Sequence, residues 1–302
     1  MILRDCLEQK DNLISENLTK VVGDAFSVYQ FYSEEYDREY DVFKIESEKS
    51  NIILKKSKSK NEVLAHDILA KSECDFVPKI HYIEKAEEIY FIAMENLVNS
   101  KDSWSKDDIT DLVEKLAYIH KECSKYQEGY ERIRKWTYTS KADLEKLEDS
   151  EISKSHVEAI YNSQVILSES YQTFIHGDMI PLNMIITSEG VKIIDWEYGQ
   201  FGPYILDLGR LLGDYNINQL WINHEWEEEL LEAYYNSIKS NQIVASYNQF
   251  YLEYQCAKLQ NYFEIVEAFK TRKWDRTDWY DMNLREMLST INKINNVQTD
   301  SV

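Results

Sequence analysis

Between Ser27 and Ser57 three short apolar runs are separated by polar turns: Val28-Tyr29-Gln30-Phe31-Tyr32, Asp41-Val42-Phe43-Lys44-Ile45 and Asn51-Ile52-Ile53-Leu54-Lys55. Such β-branched and aromatic runs predict strands. Residues 62–71 (EVLAHDILAK) read as a short helix, and 79–83 and 89–94 as a further strand pair. Residues 1–20 read as a polar helix or an extended lead-in. After Asn99 the character changes. Over 107–121, Ile109, Leu112, Val113, Leu116 and Ile119 fall on one helical face behind an acidic first turn. Helices are predicted to continue through 141–170 and 225–296. The pattern is an α+β chain: residues 1–98 form a small antiparallel sheet with one helix, and 99–302, after a connector near 95–99, form a larger helical part.

Composition sharpens one region. The 302 residues include only 8 glycines and 3 prolines, yet six of those glycines and two of the prolines lie within 177–213. A chain that avoids backbone-breaking residues elsewhere has collected them where unusual geometry is needed. There the sequence reads Phe174-Ile175-His176-Gly177-Asp178-Met179-Ile180-Pro181-Leu182-Asn183, followed by two apolar runs, 183–187 and 191–195. Ser188-Glu189-Gly190 between them predicts a three-residue hairpin loop with glycine at a positive φ. A hairpin centred on Glu189 would set Asn183 opposite Asp195, one amide oxygen beside one carboxylate. Oxygen donors of this kind suit Mg²⁺, and Asp178 in the preceding turn would add a second carboxylate.

The motif H-G-D-x-x-x-x-N with a downstream Asp after an apolar strand resembles the aminoglycoside phosphotransferases and the choline-kinase-like group. The resemblance spans roughly residues 20 to 290 and is specific at 174–210. It implies a two-lobed protein-kinase-like fold whose N-lobe ends near residue 98. Asp178 would then be the catalytic base for a substrate hydroxyl, with Asn183 and Asp195 holding Mg²⁺ on the phosphates of ATP or GTP. His176 is expected to brace the loop, and Asp207 in Asp207-Leu208-Gly209-Arg210 to brace the helical lobe. Glu197 would either tune the metal loop or face the substrate. A lysine on the third strand and a helix glutamate are also implied, supplied by Lys55 and Glu62. Lys44 is the competing lysine, with residues 23–27 then the phosphate loop. Residues 34–39 carry no glycine, a departure from the Gly-rich nucleotide loop. Residues 91–97 resemble a hinge, so the Glu95 and Leu97 backbones would bind the purine.

Net charge is −20, which argues against binding nucleic acid by phosphate neutralisation. Acidity is compatible with a cationic acceptor, but it is spread along the chain and marks no single place. Cys6, Cys74, Cys123 and Cys256 are widely spaced, as expected of reduced thiols in a cytoplasmic protein rather than of a zinc site. The first residues have no signal-peptide pattern, and no apolar run approaches the ~20 residues that span a bilayer. The expected activity is Mg-dependent transfer of a γ-phosphoryl group to a hydroxyl of a small polar acceptor. An aminoglycoside, choline or another metabolite fits, and a kinase-shaped binding or spore-coat-type protein is the rival class. Aromatic and acidic residues after 215 are candidate acceptor contacts: Trp221, Trp226, Glu227, Glu228, Glu229, Tyr234, Tyr235 and above all the WDRTDWYD segment at 274–281.

Overall fold

The computed structural model describes residues 2–6, 13, 15–35, 37–101, 103–213, 222–241 and 243–299. By packing, the chain divides into two units: Met1–Ser100 with Ile185–Glu197, and Lys101–Met184 with Tyr198–Val302. The sequence division at residue 98 kept the 185–197 hairpin with the helical part, whereas it packs with the first unit. The reason is local hydrogen bonding: Ile193 N–H donates to the Phe76 carbonyl (2.8 Å), Ser100 N–H to that of Ile186 (2.7 Å), and the Lys192 ammonium to that of Asp75.

In the first unit six strands form one antiparallel sheet in the order β1-β2-β3-β4-β6-β5. They are β1 (Ile2–Asp5), β2 (Phe26–Ser33), β3 (Arg38–Ser47), β4 (Asn51–Ser57), β5 (Ile80–Ala86) and β6 (Ile89–Glu95). The three apolar runs form strands β2, β3 and β4 as expected. Val28, Phe43, Ile45, Ile52 and Leu54 enter a core shared with Leu18 and Val22 of helix α1 (Glu16–Val22), which the Ser15 side chain caps. Residues 1–20 thus hold both a strand and a helix; all four residues of β1 are exposed, so burial patterning did not mark it. On β4, Lys55 alternates away from Ile52 and Leu54, and helix α2 (Lys60–Lys71) presents Glu62 to it.

In the second unit, helix α3 (Lys106–Glu122) opens with a capping box between Ser105 and Asp108 and buries its predicted stripe. The 141–170 region breaks into α4 (Lys141–Leu144) and α5 (Lys154–Glu169), and the region from 225 into α7 (Glu227–Ile238), α8 (Tyr247–Arg272) and α9 (Asp278–Thr299). Lys273, at φ 54°, ends α8 in a left-handed cap. Helix α8 is buried almost all round, as expected of a helix sheathed by others; α5, α9 and α6 (Leu206–Gly213) pack on it. Strands β7 (Gln172–Ile175) and β10 (Gln200–Pro203) pair antiparallel, Ile175 opposite Gln200.

The hairpin of the first unit differs from expectation. Strands β8 (Met184–Thr187) and β9 (Gly190–Ile193) enclose a turn of two residues, Ser188 and Glu189, not three. Thr187 Oγ1 accepts from Glu189 N–H (3.1 Å) and donates to the Gly190 carbonyl (2.9 Å), closing the turn early. Gly190 takes the positive φ (108°) as the first residue of the strand.

Candidate active site

The second unit builds its site on a buried carboxylate. Asp207, on the first turn of α6, is 1% exposed. Its oxygens accept from the backbone N–H of His176 (2.6 Å) and of Gly177 (2.9 Å), and from His120 Nε2 (3.2 Å). Burial alone would raise this carboxyl; its interactions with His120 and His176, the His120 hydrogen bond first, outweigh it and hold Asp207 below its ordinary range. The chain just past β7 is thereby clamped. Gly177 sits at φ 80°, and a Cβ there would lie 2.5 Å from the Tyr198 carbonyl oxygen, so only glycine fits.

That turn presents Asp178. Its Oδ1 accepts from Arg210 Nη2 (3.2 Å) and its Oδ2 from Asn183 Nδ2 (3.2 Å). Asn183 Nδ2 also donates to the Asp178 carbonyl (2.8 Å), which commits the amide nitrogen to the loop. Asp178 lies on the wall of a cavity of about 410 Å³. Arg134, Arg210 and Glu264 bring charge to this cavity, Gln200, Gln260 and Asn261 bring amides, and Trp136 and Tyr198 supply aromatic faces. The Glu264 carboxyl is raised by its protein surroundings and by the Asp178 charge, against the Gln260 hydrogen bond and the Arg210 charge.

The first unit carries a second cluster. Lys55 Nζ lies 2.7 Å from both Glu62 Oε1 and Asp195 Oδ1. Burial would lower the ammonium, but the two carboxylates outweigh it and hold Lys55 charged, above its ordinary pKa. Asp195 adopts φ 61°, a left-handed backbone that Asp tolerates better than most residues but still at a cost. Burial and then the nearby Lys55 charge push His66, one turn after Glu62, down to about 4. Lys44, the competing lysine, pairs with Glu46 instead (2.5 Å). Glu95 ends β6 with its N–H donated to the Lys79 carbonyl (2.9 Å), and Leu97 follows in the connector. The Glu197 carbonyl accepts from Asn61 Nδ2 (3.0 Å), while its side chain is exposed.

A profile of the Phosphotransferase enzyme family matches residues 65–241. The chain belongs to this family. Protein LicA homolog of Mycoplasma capricolum is 24% identical over 198 residues, 64% of this chain and 77% of that one. An amicoumacin kinase, solved in complex with AMP-PNP, Ca²⁺ and Ami, superposes with a TM-score of 0.59 at 14% identity, covering 95% of this chain and 96% of its own. An ethanolamine kinase of Plasmodium vivax gives 0.57 at 13% identity, covering 93% and 85%. These likenesses show an α+β, protein-kinase-like fold. No helix among the described residues is long and apolar enough to cross a membrane.

Within this phosphotransferase, sequence reasoning passed over Arg210, Asn261 and Glu264 at the cavity and His120 behind the loop. Arg210 lay inside the quoted Asp207-Leu208-Gly209-Arg210 run and could have been flagged there. His120 was hidden in an amphipathic stripe, and Asn261 and Glu264 in a helix with no polar face. The aromatic candidates at 274–281 assemble elsewhere: Trp274 and Trp279 pack on Phe269 (5.2 and 5.6 Å), and Arg276 pairs with Glu151 (2.5 Å). Glu227 is taken by Tyr254 (2.8 Å) and Lys258 (2.9 Å), and Glu229 by Lys106. Trp221 lies outside the described residues.

Proposed function

We propose that the protein is a metal-dependent small-molecule kinase that moves the γ-phosphoryl group of ATP or GTP to a hydroxyl of a polar acceptor held in the Asp178 cavity. The observation that carries this reading is Asp178 itself: a carboxylate on a cavity wall, held by Asn183 and Arg210 on a loop clamped by Asp207. An acceptor hydroxyl bound there gives its proton to Asp178 as its oxygen bonds to the γ-phosphorus and the bridging oxygen leaves with the nucleoside diphosphate. Arg210 keeps the carboxylate oriented toward that hydroxyl.

On the nucleotide side, Lys55 is assigned to the phosphates with Glu62 as its orienting partner, and the Glu95 and Leu97 backbones to the purine. The Glu95 amide is already donated to Lys79, so its carbonyl is the group left for a base. The donors proposed for Mg²⁺ are hard oxygens: Asp195 retains Oδ2 beyond its Lys55 contact, and Asn183 has its amide nitrogen committed and its oxygen uncommitted. That chemistry fits the ion, which when bound neutralises phosphate charge. The amicoumacin kinase of like fold, solved with AMP-PNP and Ca²⁺, supports nucleotide and divalent-metal use.

For the acceptor, the cavity carries guanidinium, carboxylate and amide groups together, which supports a small molecule with several hydrogen-bonding groups. An amino alcohol is the second reading, favoured by Glu264 and Trp136 on the wall. The test is a coupled nucleotide-consumption assay over aminoglycosides, choline, ethanolamine, thiamine and sugar alcohols, with Asp178→Ala alongside. Turnover with one acceptor, lost in Asp178→Ala while nucleotide still raises the melting temperature, is the expected result. No thermal shift with Mg·ATP or Mg·GTP would instead favour a kinase-shaped binding protein.

A further inference from the structure

Behind the catalytic loop the hydrogen-bonded chain does not stop at His120. The Tyr234 hydroxyl, on α7, lies 2.6 Å from His120 Nδ1, and both side chains are fully buried. The Tyr234 ring is held in an aromatic stack between Tyr204 (6.3 Å, 17° between planes) and Phe250 (5.9 Å, 16°), so its hydroxyl has a defined position. The His120 carbonyl accepts from Thr173 Oγ1 (2.6 Å), which ties the same residue to strand β7.

The donor directions follow from the anion at one end. Asp207 is acceptor-only when ionised, so His120 must offer it an N–H from Nε2. The Nδ1 lone pair then faces Tyr234, whose hydroxyl donates to it. Burial, together with the Asp207 and Glu253 charges, keeps that phenol protonated. The run is therefore Tyr234 O–H to His120 Nδ1, His120 Nε2–H to Asp207 Oδ2, and Asp207 to the amides of His176 and Gly177. The Asp207 anion itself favours the Nε2–H form, and the Tyr234 hydroxyl matches it by supplying a donor to the buried Nδ1. Without that hydroxyl the Nδ1 lone pair loses this donor, and the ring loses the contact that holds Nε2–H on Asp207, one of the carboxylate's three donors.

We propose that Tyr234 is a positioning residue for the catalytic loop: through His120 it fixes the donor that orients Asp207, and so the backbone that presents Asp178. The assignment of Asp178 as the base rests on the functional reading above, but the positioning chain is testable without it.

In the wild-type protein, ¹⁵N resonances of the His120 ring should report a protonated Nε2 and an unprotonated Nδ1. A protonated Nδ1 would overturn the proposal. In Tyr234→Phe, the His176 and Gly177 amides should exchange with solvent at least ten-fold faster, after correction for the change in global stability. Tyr204→Phe is the matched control. Its hydroxyl is equally buried but bonds Glu253 (2.7 Å) and has no part in the His120 chain. Equal acceleration in the two variants would reduce Tyr234 to packing and refute the positioning role. Should Tyr234→Phe fail to fold, a protonated Nδ1 in the wild-type ring spectrum still overturns the proposal. None of these readouts needs phosphoryl transfer, so a wrong functional reading and a wrong positioning chain give different results.

Discussion

Arg210 Nη2 lies 3.2 Å from Asp178 Oδ1 on the wall of one cavity, so the proposed base carries its own counter-ion. A charged hydrogen bond of this kind contributes ~1.5–3 kcal/mol. Arg210→Met should lower turnover about 10- to 100-fold with a smaller effect on nucleotide affinity, read by steady-state kinetics. A fall in melting temperature with unchanged turnover would make Arg210 a strut only.

Asp195 separates a backbone cost from a chemical role. Asn tolerates φ 61° as well as Asp does, so Asp195→Asn should fold like the parent protein. It should nevertheless lose most of the Mg²⁺-dependent part of nucleotide binding in calorimetric titrations. Retained Mg²⁺ dependence would remove Asp195 from the metal site.

Lys55 should act on the same measurement by a different route. Lys55→Ala removes a charged contact to the phosphates and should weaken nucleotide binding roughly 10- to 100-fold. Lys44→Ala, on a lysine paired with Glu46, should leave it unchanged. The reverse pattern would assign the phosphate contact to Lys44.

His66 gives the first unit an acid sensitivity. Its folded pKa is about 4 against 6.5 for an ordinary histidine, so between those values the unfolded state binds the extra proton. Stability from this group is complete above pH 6.5 and falls as the pH drops toward 4, by about 3 kcal/mol in all. Urea unfolding at pH 7.5, 6.0 and 4.5 should show that slope flattened in His66→Leu. An unchanged slope would place the acid sensitivity on another group.

Two glycines offer a steric comparison. Gly177→Ala would force a Cβ within 2.5 Å of the Tyr198 carbonyl at an unfavourable φ, whereas a Cβ at Gly129 meets nothing within 4 Å. The first substitution should cost about 1–3 kcal/mol and most of the activity. The second should change neither measurably. Thermal melts of both variants decide the matter.

Much of this molecule was legible along the chain because its information is local. The β-branched and aromatic runs of 28–55, the stripe of 107–121 and the crowding of glycines at 177–213 each reflect how a few neighbouring residues meet solvent or bend the backbone. His-Gly-Asp followed by Asn183 could be read for the same reason: a tight loop needs its residues at fixed short spacings. Strand β1 could not, since all of its side chains are exposed and it joins the sheet by pairing with β2, where the Arg4 guanidinium lies over the Tyr32 ring.

What the sequence by itself determined was the α+β order of elements and the place of the His-Gly-Asp turn, with Asp178, Asn183 and Asp195 as the candidates for the proposed chemistry. Tertiary structure alone decided which distant residues serve them: Arg210 and Asn261 at the cavity, the His120 and Tyr234 line behind Asp207, and Lys55 rather than Lys44 beside Asp195. Those partners lie dozens of residues or more from what they hold, on helices and strands whose patterns record burial. Burial periodicity says which way a side chain faces, and only the packing of one element against another says what it meets there.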